Sequence, residues 1–130
     1  MAQTVIDIER QGLEQLRGHI GPSFQAVCEL LLRITGHVIV MGMGKSGHIG
    51  KKIAATLAST GTPAFFMHPA EASHGDLGMI SAEDVVLALS YSGETEELLH
   101  LLPMIQLRHI PLVAMTGNPQ SRLGQAAQYT

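Results

Sequence analysis

Apolar residues first recur along this chain at helical steps. Ile6, Leu13, Leu16 and Ile20 are spaced by three, four or seven residues and predict an amphipathic helix that Gly21-Pro22-Ser23 interrupts. Phe24, Val27, Leu30, Leu31 and Ile34 repeat the pattern, with Ser23 as the expected cap. After Gly36 the texture changes to short, nearly unbroken apolar runs: HVIVMGM, PAFFM, DVVLALS and IPLVAMT. Each is bounded by turn residues and reads as a strand. Between and after them KSGHIGKKIAATLAST, ETEELLHLLPMIQLRH and SRLGQAAQ read as helices. The first of these carries Ile49, Ile53 and Leu57 on one face, and the second is kinked at Pro103. Strands without polar alternation, separated by helices, predict an α/β fold: an open parallel sheet covered on both faces, preceded by two helices. The closing Tyr129-Thr130 reads as the first step into a further strand, so the fold is expected to be incomplete at its C-terminus.

The 130 residues suit a single domain. With 45% hydrophobic and 15% charged residues the chain has material for a core, which excludes disorder. A net charge of −3 without a basic run argues against nucleic acid or an anionic membrane as partner and favours a small molecule. Cys28 has no partner for a disulfide and lies in an apolar-periodic stretch, where a buried thiol in a cytoplasmic protein is expected. The N-terminus has neither the basic start of a signal peptide nor an uninterrupted apolar run.

Chemistry gathers where strands end. VIVMGMGKSGHIGKKIA contains Gly42-x-Gly44-x-x-Gly47, the spacing of a dinucleotide fingerprint, yet no acid stands about 20 residues on to hold a ribose. A triphosphate loop would need glycine at position 39, which is Ile39. There remains a loop of small residues opening a helix, with Lys45 as a point charge and Ser46 as a hydroxyl, suited to an anion. The plainer alternative is a tight turn with a solvated lysine. LALSYSGETEELL places Ser90, Ser92 and Thr95 around Gly93 at the end of another strand, a second anion-friendly loop or a serine-rich capped turn. Both loops fall at the carboxyl edge of the sheet, where open α/β proteins bind ligands, and together they favour a phosphate ester.

Between them the 13-residue loop HPAEASHGDLGMI carries His68, Glu71, His74 and Asp76, groups fit for proton transfer or simply solvated. The separation of His68 and His74 supports zinc only weakly. Glu94, Glu96 and Glu97 suit the first turn of a helix, and Glu97 is also a candidate base.

The runs VIVMGMGKSGHIGKKIAATLASTGTPAFFMHPAEASHGDLGMI, SYSGETEEL and PLVAMTGNPQS closely resemble the sugar-isomerase (SIS) domain of bacterial arabinose-5-phosphate isomerases, from about Leu13 to the end. The resemblance implies an SIS-type, Rossmann-like sheet and interconversion of D-ribulose 5-phosphate and D-arabinose 5-phosphate through an enediol. That reaction supplies the Kdo sugar of lipopolysaccharide or, in a paralogue, accompanies glucitol utilisation. It implies Lys45 as enediolate stabiliser, Glu97 as proton carrier, and His74 as substrate contact and proton-transfer partner. Ser46, Ser90, Ser92 and Thr95 would hold phosphate, and Gly61 and Thr62 would touch substrate. No cofactor is required, and zinc at His68 would be an inhibitory or structural ion. In the family the site forms between subunits of a cytoplasmic homotetramer. Members continue through a further acid, a further histidine and usually paired CBS modules, so residues 1–130 read as a partial SIS domain without CBS modules. A non-catalytic sugar-phosphate sensor, like the SIS domains of some transcription regulators, is the alternative.

Overall fold

A computed structural model describes residues 1–130. Its four strands are β1 (Val38–Gly42), β2 (Ala64–Phe66), β3 (Val85–Leu89) and β4 (Leu112–Met115). They form one parallel sheet in the order β2-β1-β3-β4. The register pairs Val38 with Ala64 and Val85, and Val86 with Leu112. Every residue of β1 and β3 is buried, as strands with both faces covered must be.

Alternation along the strands sorts the core into two layers. Ile39, Met41, Val86, Ala88, Leu112 and Ala114 face one side, where α4 (Pro69–Ser73), α5 (Glu96–Leu99), α6 (Leu102–Leu107) and α7 (Arg122–Ala126) supply Ala72, Leu98, Leu99, Ile105 and Leu123. Val38, Val40, Val85, Leu87, Leu89 and Val113 face the other, covered by α2 (Pro22–Arg33) and α3 (Gly44–Ser59). There α3 lies tight on the sheet through Gly47, Gly50 and Ala54. A Cβ at Gly50 would stand 3.1 Å from the Phe66 ring and 3.2 Å from Val40, so glycine spacing here serves close packing.

Several expectations need correction. α1 (Ala2–His19) forms but buries nothing: Ile6, Leu13, Leu16 and Ile20 are 54–68% exposed, because the sheet is already covered without them. Ser23 does not cap α2. Gly21 holds that position with Pro22 in the first turn, and the Ser23 hydroxyl donates to the Thr130 carbonyl at 2.8 Å. Ile49 is 58% exposed, whereas Ile53 and Leu57 pack on the sheet beside Gly47, Gly50 and Ala54. Cys28 is only half-buried, as α2 touches the sheet on one side.

Pro103 divides the helix after β3 rather than kinking it. Proline has no N–H to donate to Leu99, so the chain tightens through Leu101 N–H to Leu98 C=O and restarts as α6 with Pro103 in its first turn. The HPAEASHGDLGMI segment is more ordered than a loop, folding into α4 and a 3₁₀ turn at Asp76–Met79. The expected step into a fifth strand is present: Tyr129 bridges Val113 in parallel, with Ala114 N–H donating to Tyr129 C=O at 2.9 Å. No helix is long and apolar enough to cross a membrane.

At the opposite edge from the strand ends, Asp84 is buried and pins two chain crossings. It accepts from His37 N–H at 2.7 Å, Ser81 N–H at 2.6 Å and the Ser81 hydroxyl at 2.9 Å. Burial raises its pKa, but the N–H donors of Ser81 and His37 and the Ser81 hydroxyl together outweigh that and hold it below the ordinary carboxylate value. A depressed folded-state pKa stabilises the protein above the unfolded carboxylate pKa and loses that contribution as pH falls through the folded value. Asp84→Ala should therefore lower unfolding free energy at neutral pH by about 3 kcal/mol, because two backbone donors lose their acceptor. Urea titrations of both proteins should show that gap closing below about pH 4.

Candidate functional site

β1 hands the chain to α3 on one face of the sheet, and β3 hands it to α5 on the other. Adjacent strands whose helices part in this way leave a crevice at their carboxyl ends. A cavity of about 440 Å³ lies there, lined by Lys45, Ser46, Ile49, Leu89, Ser90, Tyr91, Met115, Thr116 and Gly117. Its volume is in the range of small-ligand sites, about 300–1,000 Å³.

The first wall is the start of α3. Gly44 takes a left-handed φ of 53°, and no side chain caps the helix, so its first-turn amides face the crevice without protein acceptors. Lys45 is exposed and enters no ion pair, while Ser46 is half-buried. A free cation beside free N–H groups attracts an anion.

The second wall is the loop from Ser90 to Thr95. Ser90 is buried, and its hydroxyl lies 2.7 Å from that of Thr95 while accepting from Gly93 N–H at 3.0 Å. Ser92 is exposed, and its hydroxyl accepts from Glu94 N–H at 3.2 Å. The amides of Tyr91, Ser92 and Thr95 donate to no protein acceptor. Gly93 has φ 68°, and a Cβ there would overlap the Ser121 hydroxyl, so both conformation and space demand glycine. The loop is thus a compact set of hydroxyls and unclaimed N–H groups.

The histidine segment approaches the same edge from the end of β2, where α4 packs against α5. His74 is exposed and shares a second hollow of about 300 Å³ with Ala70, Glu71 and Asp76. His68 caps α4, its Nδ1 accepting from Ala70 N–H at 3.3 Å, which places the proton of the neutral ring on Nε2. No three His, Cys, Asp or Glu side chains gather into a metal-ligating group. Glu97 is exposed and unpaired on the first turn of α5.

Of the residues singled out from sequence, Lys45, Ser46 and Ser90 share the main cavity, and Ser92 and Thr95 border it through the Ser90 loop. His74 belongs to the neighbouring hollow. Gly61 and Thr62 precede β2 and so lie at the opposite, amino edge of the sheet. The sequence reading missed Tyr91, Met115 and Thr116. Thr116 follows β4 as Ser90 follows β3, and the same strand-end rule would have found it. It also missed Arg122, whose Nε donates to Glu94 Oε2 at 2.6 Å and whose Nη2 donates to Glu96 Oε1 at 2.8 Å. Arg122 N–H and its guanidinium hold the Glu94 pKa below the ordinary value.

Known proteins share this sequence and architecture. Arabinose 5-phosphate isomerase KdsD of Pseudomonas aeruginosa is 61% identical over 127 residues, covering 98% of this chain and 39% of that protein. The Yersinia pestis protein of the same name is 59% identical over 123 residues, covering 95% of this chain and 38% of that protein. The chain therefore spans about two fifths of the length of these relatives. The structure of E. coli CFT073 c3406 in complex with arabinose 5-phosphate superimposes with a TM-score of 0.81 at 37% identity, over 98% of this chain and 71% of that one. The sugar isomerase domain of an RpiR transcription factor from Sphaerobacter thermophilus reaches a TM-score of 0.84 at 21% identity, over 99% of this chain and 73% of that one, a likeness of fold alone. With the SIS domain signature matching residues 31–130, this chain belongs to the SIS domain family.

Proposed function

We propose that the chain carries the sugar-phosphate site of an arabinose-5-phosphate isomerase, interconverting D-ribulose 5-phosphate and D-arabinose 5-phosphate. The observation that carries this reading is the meeting of two anion-ready walls, the uncapped start of α3 with Lys45 and the Ser90–Thr95 loop, over one cavity at the switch point. Identities of 61% and 59% to the two KdsD isomerases support the choice of substrate.

A phosphate dianion accepts from the Ser92 and Thr95 hydroxyls and the unclaimed amides beside them. The sugar then extends toward Lys45 and the α4–α5 side. A base removes the proton from the carbon next to the carbonyl, and the negative charge passes to oxygen as an enediolate. Lys45 offsets that charge, the hydroxyl proton passes to the former carbonyl oxygen and the carbon proton returns to the neighbouring carbon, so substrate and product are isomers. Glu97, exposed and unpaired, carries the proton, and His74 contacts the sugar and assists. No step is routed through a metal, and His68 would be the residue to hold zinc as an accessory, inhibitory or structural ion.

The enzyme works as a cytoplasmic homotetramer in the supply of Kdo for lipopolysaccharide, or in the glucitol-linked branch. Association is supported by the apolar side chains of α1 that find no partner within the chain. The RpiR likeness means that the fold alone does not distinguish this from a sensor. The unpaired Lys45 and Glu97 favour the enzyme.

Calorimetric titration of the chain with arabinose 5-phosphate should give a saturable heat that Ser92→Ala/Thr95→Ala abolishes. Undiminished affinity in that double variant would overturn the phosphate assignment. In the protein extended to the length of its relatives, Glu97→Gln should lower kcat by about 100-fold or more with KM within a few-fold. An equal loss in both would make Glu97 a binding group. Gly93→Ala should cost about 2–3 kcal/mol of stability, seen as a drop in Tm, and weaken sugar-phosphate binding, because neither backbone nor Ser121 has room for the methyl group.

A further inference from the structure

Glu94 lies inside the loop assigned to the phosphate, and Glu96 and Glu97 follow it directly. Such a loop should repel a dianion. A freed carboxylate is also an anion of the same hydrogen-bonding type as phosphate, able to turn back onto the unclaimed amides of Ser92 and Thr95. In the folded chain this does not occur, because Glu94 and Glu96 are both turned toward α7. Glu94 accepts from Arg122 N–H at 2.8 Å through Oε1 and from Arg122 Nε through Oε2, and Glu96 accepts from Arg122 Nη2 at 2.8 Å.

We propose that Arg122 is a positioning residue of the phosphate site: by engaging Glu94 and Glu96 together it keeps their carboxylates out of the phosphate seat and lowers the negative charge around it. The proposal rests on the sugar-phosphate reading above and extends it to a residue outside the cavity. Tethering the loop does not explain the arrangement. The loop is already fixed by Leu123 N–H to Gly93 C=O at 3.1 Å, Gly117 N–H to Tyr91 C=O at 2.9 Å and Gly93 N–H to the Ser90 hydroxyl. What Arg122 alone supplies is charge and a forked geometry that takes both carboxylates at once.

Isothermal titration of the 130-residue chain with arabinose 5-phosphate, and separately with inorganic phosphate, tests this. Arg122→Gln should weaken both ligands about tenfold at about 0.05 M salt, with the gap narrowing at about 0.5 M, since the liberated charges are solvent-exposed and screened. Glu94→Gln/Glu96→Gln with Arg122 retained should bind both ligands at least as tightly as the parent, because the competing anions are gone and the cation remains. Adding Arg122→Gln to that pair should leave affinity within about threefold of the parent, a rescue that a purely structural clamp does not give. An Arg122→Gln protein with parental far-UV dichroism and parental affinity would overturn the proposal. So would weaker binding by Glu94→Gln/Glu96→Gln, which decides the matter even where Arg122→Gln fails to fold. A parent chain that binds neither ligand would instead bring down the sugar-phosphate reading, and this proposal with it.

Discussion

The pairing of β1 with β3 in the middle of the sheet is the constraint on which the rest of the structure depends. Both strands are apolar at every position and buried along their whole length, so neither face of the sheet tolerates water. Helices must cover both faces, and in a parallel sheet each helix is also the connection to the next strand. β1 therefore sends α3 to one side while β3 sends α5 to the other. The gap left between the departing helices is the cavity. The site follows directly from how the core is covered.

The site has a division of labour that also follows from position. Backbone groups at the start of α3 and around Ser92 and Thr95 lack internal acceptors because helix starts and tight turns leave N–H groups unspent. Side-chain hydroxyls fill in around them, and their mutual bonds hold the ligand-free loop in shape. Titratable groups arrive from a different connection, the α4 segment between β2 and β3, which packs on α5.

Electrostatics around the loop is less simple than a phosphate site suggests. Carboxylates at the first turn of a helix are favoured by its dipole, which suits Glu96 and Glu97 beside the hydroxyls, while Glu94 precedes the cap Thr95 and lies in the loop itself. A long-range contact then reorganises two of them: Arg122, 28 and 26 residues away, engages Glu94 and Glu96 and leaves Glu97 alone. Acids on neighbouring positions thus end in different states, two paired and one unpaired.

Much of this was legible in the residues themselves. The strands declared themselves because a fully buried strand needs no polar alternation, and the two anion-ready loops because Gly44 and Gly93 stand where strands give way to helices. Local spacing also determined that Pro103 would disturb its helix and that Tyr129 would begin another strand. Tertiary structure alone decided what is covered: α1 has the periodicity of a core helix yet lies exposed, since amphipathicity states that a face is apolar without stating what meets it. It alone set β3 between β1 and β4 and joined Arg122 to Glu94 and Glu96. Those relations depend on strand order and on distances through space, quantities that short-range sequence pattern does not encode.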